Sequence, residues 1–161
     1  MQKLAPQTWL RLMLLAWAVF TTQAQAQILK VLPQYLDAQG RAALSPSLFD
    51  RDAYQAELRR NPSLRNTMRF QILWKPVAPD QGPLRLQLEL RGWSTAGSPR
   101  ELTLQQAVPA GSTRRRWTSI RLTPDQYRQL GDVTAWRVSL WSGPALLAEQ
   151  KSFLWTDRTP R

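Results

Sequence analysis

The sequence contains no cysteine and no histidine in 161 residues, and only 7 glycines. Those absences remove zinc, haem, iron–sulfur and copper sites of ordinary ligation. They also exclude a Ser-His-Asp triad, a Cys-His nucleophile and a catalytic dithiol. Without disulfides the fold must be held by its core. No Gly-rich phosphate loop and no Asp-x-Asp-x-Asp-Gly calcium loop occurs, so no cofactor and no metal is expected. Long apolar runs are missing as well, since crossing a bilayer takes about 20 residues. Acid is scarce: 11 Asp and Glu stand against 22 Lys and Arg, for a net charge of +11.

What is there begins with an address. Lys3 and Arg11 precede the apolar stretch Leu12 to Phe20, and no acid occurs before Asp37. Ala24-Gln25-Ala26 then supplies the small-x-small pattern that a signal peptidase accepts. The order predicts a cleavable signal peptide over 1–26, a mature chain from Gln27, and a periplasmic or extracellular location. An uncleaved anchor is the competing reading, against which the short apolar run counts. A lipid anchor needs a cysteine after that run. Once Lys3 and Arg11 are gone, 20 cations remain, 17 of them Arg, against 11 acids. Export makes nucleic acid an unexpected partner for this charge. An envelope protein, an anionic glycan or a lipid headgroup fits it better, and simple solubility is the bland explanation.

Ile28 to Leu36 is apolar and interrupted by Pro33, which suits an edge strand. Asp50 reads as the N-cap of a short helix over 51–60, with Ala53, Tyr54 and Leu58 on one face and Asn61-Pro62 as its stop. This 45–62 segment is expected to lie across the sheet as a lid. From Thr67 the apolar period becomes two, through Met68, Phe70, Ile72 and Trp74. Leu84, Leu86, Leu88 and Leu90 then face one way and Arg85, Gln87, Glu89 and Arg91 the other, as in a half-buried antiparallel strand. Further strands are expected over 101–108, 115–122, 133–141 and 146–155, followed by a polar tail over 156–161. Burying Trp117 together with Ile120 and Leu122 requires a bulge near Thr118. Thr123-Pro124-Asp125-Gln126 opens a second helix, with Tyr127 and Leu130 inward and Gly131 closing it.

Seven strands with short connections predict one all-β domain over 27–155, an antiparallel β-sandwich with short helical insertions. A Trp in an early strand and a Tyr before a late one resemble immunoglobulin-like and fibronectin type III domains. The segment from Leu122 to Tyr127 carries most of that resemblance, although Arg128 to Asp132 intervene before the next strand. The resemblance implies architecture alone and brings no functional residue with it.

Two groups of residues are candidates for binding. Arg114, Arg115 and Arg116, with Arg121 further along, form the densest positive stretch and suit bidentate recognition of an anion. The competing role is a solvated strand end that deters edge pairing. Trp93 and Trp141 stand where side chains can stack on sugar rings, with plain packing as the competitor. Trp74 and Trp136 have core parity. Asp50, Asp52 and Glu57 are better read as helix cap and helix-dipole residues than as a catalytic pair. The expected function is therefore a non-enzymatic binding module of a bacterial-type cell envelope. A carbohydrate-binding module is the second reading, and a carboxylate-dependent glycan hydrolase the enzymatic one.

Overall fold

Leu84, Leu86, Leu88 and Leu90 are all buried, at 2% exposure or less, as their strict alternation requires. They belong to a computed structural model that describes residues 26–76, 82–109 and 114–157. The expected signal peptide up to residue 25, and residues 158–161 of the tail, lie outside the described residues. Strands β1 (Gln27–Leu36), β2 (Thr67–Lys75) and β5 (Arg116–Arg121) make one sheet in the order β1-β2-β5. Strands β3 (Leu84–Trp93), β4 (Pro99–Val108), β6 (Asp132–Ser142) and β7 (Ala145–Lys151) make the other, in the order β4-β3-β6-β7. Every pairing is antiparallel. The core lies between the sheets, where Phe70, Ile72 and Trp74 of β2 join the β3 leucines and Val138 and Leu140 of β6. This is an immunoglobulin-like β-sandwich.

Helix α1 (Leu48–Arg60) departs from expectation in two ways. Its N-cap is Ser47 and not Asp50, whose carboxylate instead accepts a 2.5 Å hydrogen bond from the Ser45 hydroxyl within the first turn. That bond ties the preceding loop to the helix and lets it start earlier. Its buried face is Tyr54, Gln55 and Leu58, while Ala53 is exposed. The helix packs against β1, the edge strand of its sheet. Gln55 explains the seat: its amide donates to the carbonyls of Tyr35 (2.9 Å) and Ala42 (2.8 Å) and accepts from the Tyr35 N–H (2.9 Å). Buried Gln55 thus satisfies backbone groups that an edge strand leaves unpaired.

Two strand readings also change. The β2–β5 register runs unbroken from Arg69↔Arg121 to Trp74↔Arg116, so no bulge forms and Trp117 points outward, 53% exposed. The final strand stops at Lys151 and does not reach Trp155. Ser152 ends it by placing its own hydroxyl where the Trp136 N–H donates, at 3.0 Å, and the chain then turns. Helix α2 (Pro124–Leu130) has the expected capping box between Thr123 and Gln126, and Gly131 follows it at φ 76°.

Asp37 anchors the end of β1 to α1. Its buried carboxylate accepts from the Gln39 and Arg41 N–H groups, from Arg41 Nε and from the Tyr54 hydroxyl, all within 2.9 Å. Burial pushes its pKa up, but the Arg41 backbone, the Tyr54 hydroxyl and the Arg41 guanidinium outweigh that and hold it at about 2, against an ordinary 3.8. A carboxyl with a depressed native pKa stabilises the fold fully above its unfolded value and loses that contribution as pH falls through the native one. The urea midpoint is therefore expected to decline between pH 3.8 and 2. Asp37→Asn should lower it at neutral pH and flatten this part of the profile. Superimposable profiles for the two proteins would show that Asp37 does not anchor the helix.

Candidate functional site

The outward positions of β1, β2 and β5 come together by register alone. Lys30, Leu73 and Trp117 lie in one row, Leu32, Gln71 and Ser119 in the next, and Gln34, Arg69 and Arg121 in a third. Lys75, opposite Gln27, adds a further cation at the end of β2. None of the three strands contains an acid. Among the described residues, Lys30, Lys75, Arg69 and Arg121 make no ion pair. Arg69 Nε donates instead to Gln34 Oε1 at 2.8 Å. Burial and the positive charge of Arg121 both push the Arg69 pKa down, as expected for two cations side by side without a carboxylate between them. Leu73, half-buried, and exposed Trp117 supply apolar surface within this cationic frame.

The four arginines picked out in the sequence do not form one cluster. Arg114 and Arg115 are exposed at the entry to β5, whereas Arg116 has inward parity and donates to the Pro109 carbonyl at 3.2 Å. Arg121 lies five residues beyond Arg116, about 17 Å along the strand, where it meets Arg69. Lys30, Lys75 and Arg69 escaped the sequence reading because each stands alone in its own segment. The signal available was the lack of acid at every position of three strands.

The outer face of the second sheet has the opposite character. Arg137 reaches Glu89 (2.7 Å), Asp157 (3.2 Å) and Glu149 (3.9 Å), Lys151 pairs with Asp157 (2.7 Å), and Arg91 with Glu101 (2.9 Å). The Glu89 contact comes first among the causes that raise the Arg137 pKa. Buried Trp155 is held on this face, with the guanidiniums of Arg91 and Arg137 at 4.0 and 4.9 Å from its ring. These charges serve to fasten the end of the chain.

Trp93 and Trp141 share this outward face but not a platform. Trp93 pairs with Asp132 at one end of β3 and Trp141 with Arg85 at the other, about 26 Å apart along the strand. Trp141 is partly covered by its own sheet: its Nε1 donates to Ser139 Oγ at 3.0 Å and Arg85 stands 6.0 Å over the ring. Trp93 is 54% exposed and lines a cleft with Tyr127.

No family model and no curated protein matches the chain. Among solved structures it is similar to an immunoglobulin-like protein from Pseudomonas aeruginosa, at 15% identity and a TM-score of 0.33, over 81% of this chain and 96% of that one. The likeness is too distant to carry a site or a ligand across. The immunoglobulin-like sandwich described above therefore stands on the strand order of this chain itself.

Proposed function

We propose that this chain is an exported, non-enzymatic binding module that docks on anionic lipid headgroups through the outer face of β1, β2 and β5. One observation carries the reading: Lys30, Lys75, Arg69 and Arg121 share that face with exposed Trp117, and no acid stands on its three strands. One sheet face thus presents several cations on the same side, and each Lys or Arg near an anionic surface contributes about 1 kcal/mol. Trp117 and Leu73 add an apolar centre of the kind that sits at headgroup depth, where tryptophan is enriched. The acids of the opposite sheet are engaged by Arg137, Lys151 and Arg91, which supports a binding role over carboxylate catalysis.

Co-sedimentation of the processed chain with phosphatidylglycerol and phosphatidylcholine vesicles tests the reading. Retention is expected on the anionic vesicles alone and should fall with salt, since exposed charges are screened beyond about 8 Å at 0.15 M. Replacing Lys30, Lys75 and Arg121 together by Ser should weaken binding by about two orders of magnitude, and Trp117→Ser should weaken it further. Equal retention on neutral vesicles, or a triple variant that binds like wild type, sinks the proposal. Retention on an immobilised anionic polysaccharide but on no vesicle would move the partner to a glycan. Export rests on the sequence of the first 26 residues, and N-terminal sequencing of the secreted product should begin at Gln27.

A further inference from the structure

Where β3 ends and β6 begins, two backbones come into unusually close approach. A Cβ on Gly131 would stand 2.1 Å from the Trp93 carbonyl oxygen and 2.8 Å from the Ser94 Cα. A Cβ on Gly92 would stand 2.6 Å from the Leu130 carbonyl oxygen. Only glycine lets these segments meet, and their meeting places the backbone of Trp93 directly against the α2–β6 turn. The result is a cleft of about 490 Å³ between the Trp93 ring and Tyr127, within the range of about 300–1,000 Å³ usual for small-ligand sites.

The walls are set independently of any ligand. The Arg65 side chain is 8% exposed and fully engaged. It donates to the carbonyls of Leu58, at 2.5 Å, and Arg59, pairs with Asp132 at 3.1 Å, and lies 4.3 Å over the Tyr35 ring. It therefore braces the cleft from α1 to the start of β6. Arg128 pairs with Asp125. The two cations lining the cleft, Arg65 and Arg128, are thus each matched by an acid, unlike those of the β1-β2-β5 face. An anion gains little there, and a neutral ligand loses nothing.

We propose that the cleft between Trp93 and Tyr127 is a second binding site, one that takes a neutral oligosaccharide. A pyranose has an apolar C–H face and a rim of hydroxyls. The exposed face of Trp93 suits the first. For the second, Asp132 is 74% exposed and pairs with Arg65 through one carboxylate oxygen, which leaves the other as an acceptor, and Thr95 and Arg128 offer donors at the rim. The braced walls keep the ordering penalty of binding low. This site does not depend on the lipid-docking reading, because it shares no residue with that face.

The test is a glycan array of neutral and anionic oligosaccharides probed with the full exported chain, followed by titration of the best neutral glycan. Saturable binding to a neutral glycan is expected, unchanged between about 0.05 and 0.5 M salt because no net charge is involved. Trp93→Ala should weaken it at least tenfold and Trp93→Phe should retain most of it, since an aromatic face remains. Lys30→Ser with Lys75→Ser should leave it unaltered while reducing vesicle binding. Near-ultraviolet circular dichroism would establish that both Trp93 variants keep the fold. Binding to no neutral glycan, or binding that survives Trp93→Ala, overturns the proposal. Displacement of the glycan only by a proline-rich peptide that itself binds more tightly would also overturn it, in favour of a peptide groove.

Discussion

Trp74→Ala is expected to lower the free energy of unfolding by about 3–5 kcal/mol, the range for removing a large aromatic from a core. Trp74 is fully buried between the sheets near the end of β2, paired with Ile28 on one side strand and Arg116 on the other. Its indole N–H donates to Thr118 Oγ1 at 2.9 Å. The substitution therefore removes the ring's apolar contacts, opens a cavity between sheets that cannot fully collapse, and leaves the Thr118 hydroxyl without its donor. Gln71, on the same strand but on the outward face, is the control. Gln71→Ala should stay within about 0.5 kcal/mol. Urea melts of the two variants decide the matter, and comparable losses would show that β2 does not present alternate faces to core and solvent.

The second large effect is expected at Gly131. An alanine there meets two separate penalties: a positive φ of 76° and a Cβ 2.1 Å from a backbone oxygen. With ψ at −151° this backbone conformation is essentially reserved to glycine and costs about 2 kcal/mol for a residue with a Cβ, and overpacking against atoms that cannot rotate away adds about 1–3 kcal/mol. Together the loss should be about 3–5 kcal/mol. Gly97 provides a positive φ without the contact, because its φ is 75° and nothing lies within 4 Å of its Cβ position. Gly97→Ala should therefore cost only the backbone part, about 1–2 kcal/mol. If thermal or urea melts give equal losses for the two, the close approach of the Trp93 backbone to the α2–β6 turn is not tight, and the braced cleft beside it loses its foundation.

Much of the architecture was legible in local residue order. Alternation at Met68 to Trp74 and at Leu84 to Leu90 determined which side chains enter the core, because a strand has a side-chain period of two whatever it pairs with. Pro33 marked β1 as an edge, and Thr123-Pro124-Asp125-Gln126 determined the start of α2, because capping is settled within four residues. The all-β, seven-strand sandwich followed from these.

The tertiary structure decided everything that depends on what lies opposite. Whether Trp117 or Ile120 faces the core is ambiguous in sequence, since both are apolar, and only the unbroken register against β2 turns Trp117 outward. Gln55 lies outside the face expected from Ala53, Tyr54 and Leu58, and only the free edge of β1 beside it accounts for its burial. Ser152 ended β7 early because Trp136 on another strand supplied a donor. The row of Lys30, Leu73 and Trp117 joins three segments far apart in the chain, as does the cleft of Arg65, Trp93 and Tyr127. Periodicity and capping are properties of neighbours along the chain and survive in the sequence alone. A surface is a property of register between remote segments, where a slip of one residue would exchange its inward and outward side chains, so both candidate binding faces came into being only with the fold.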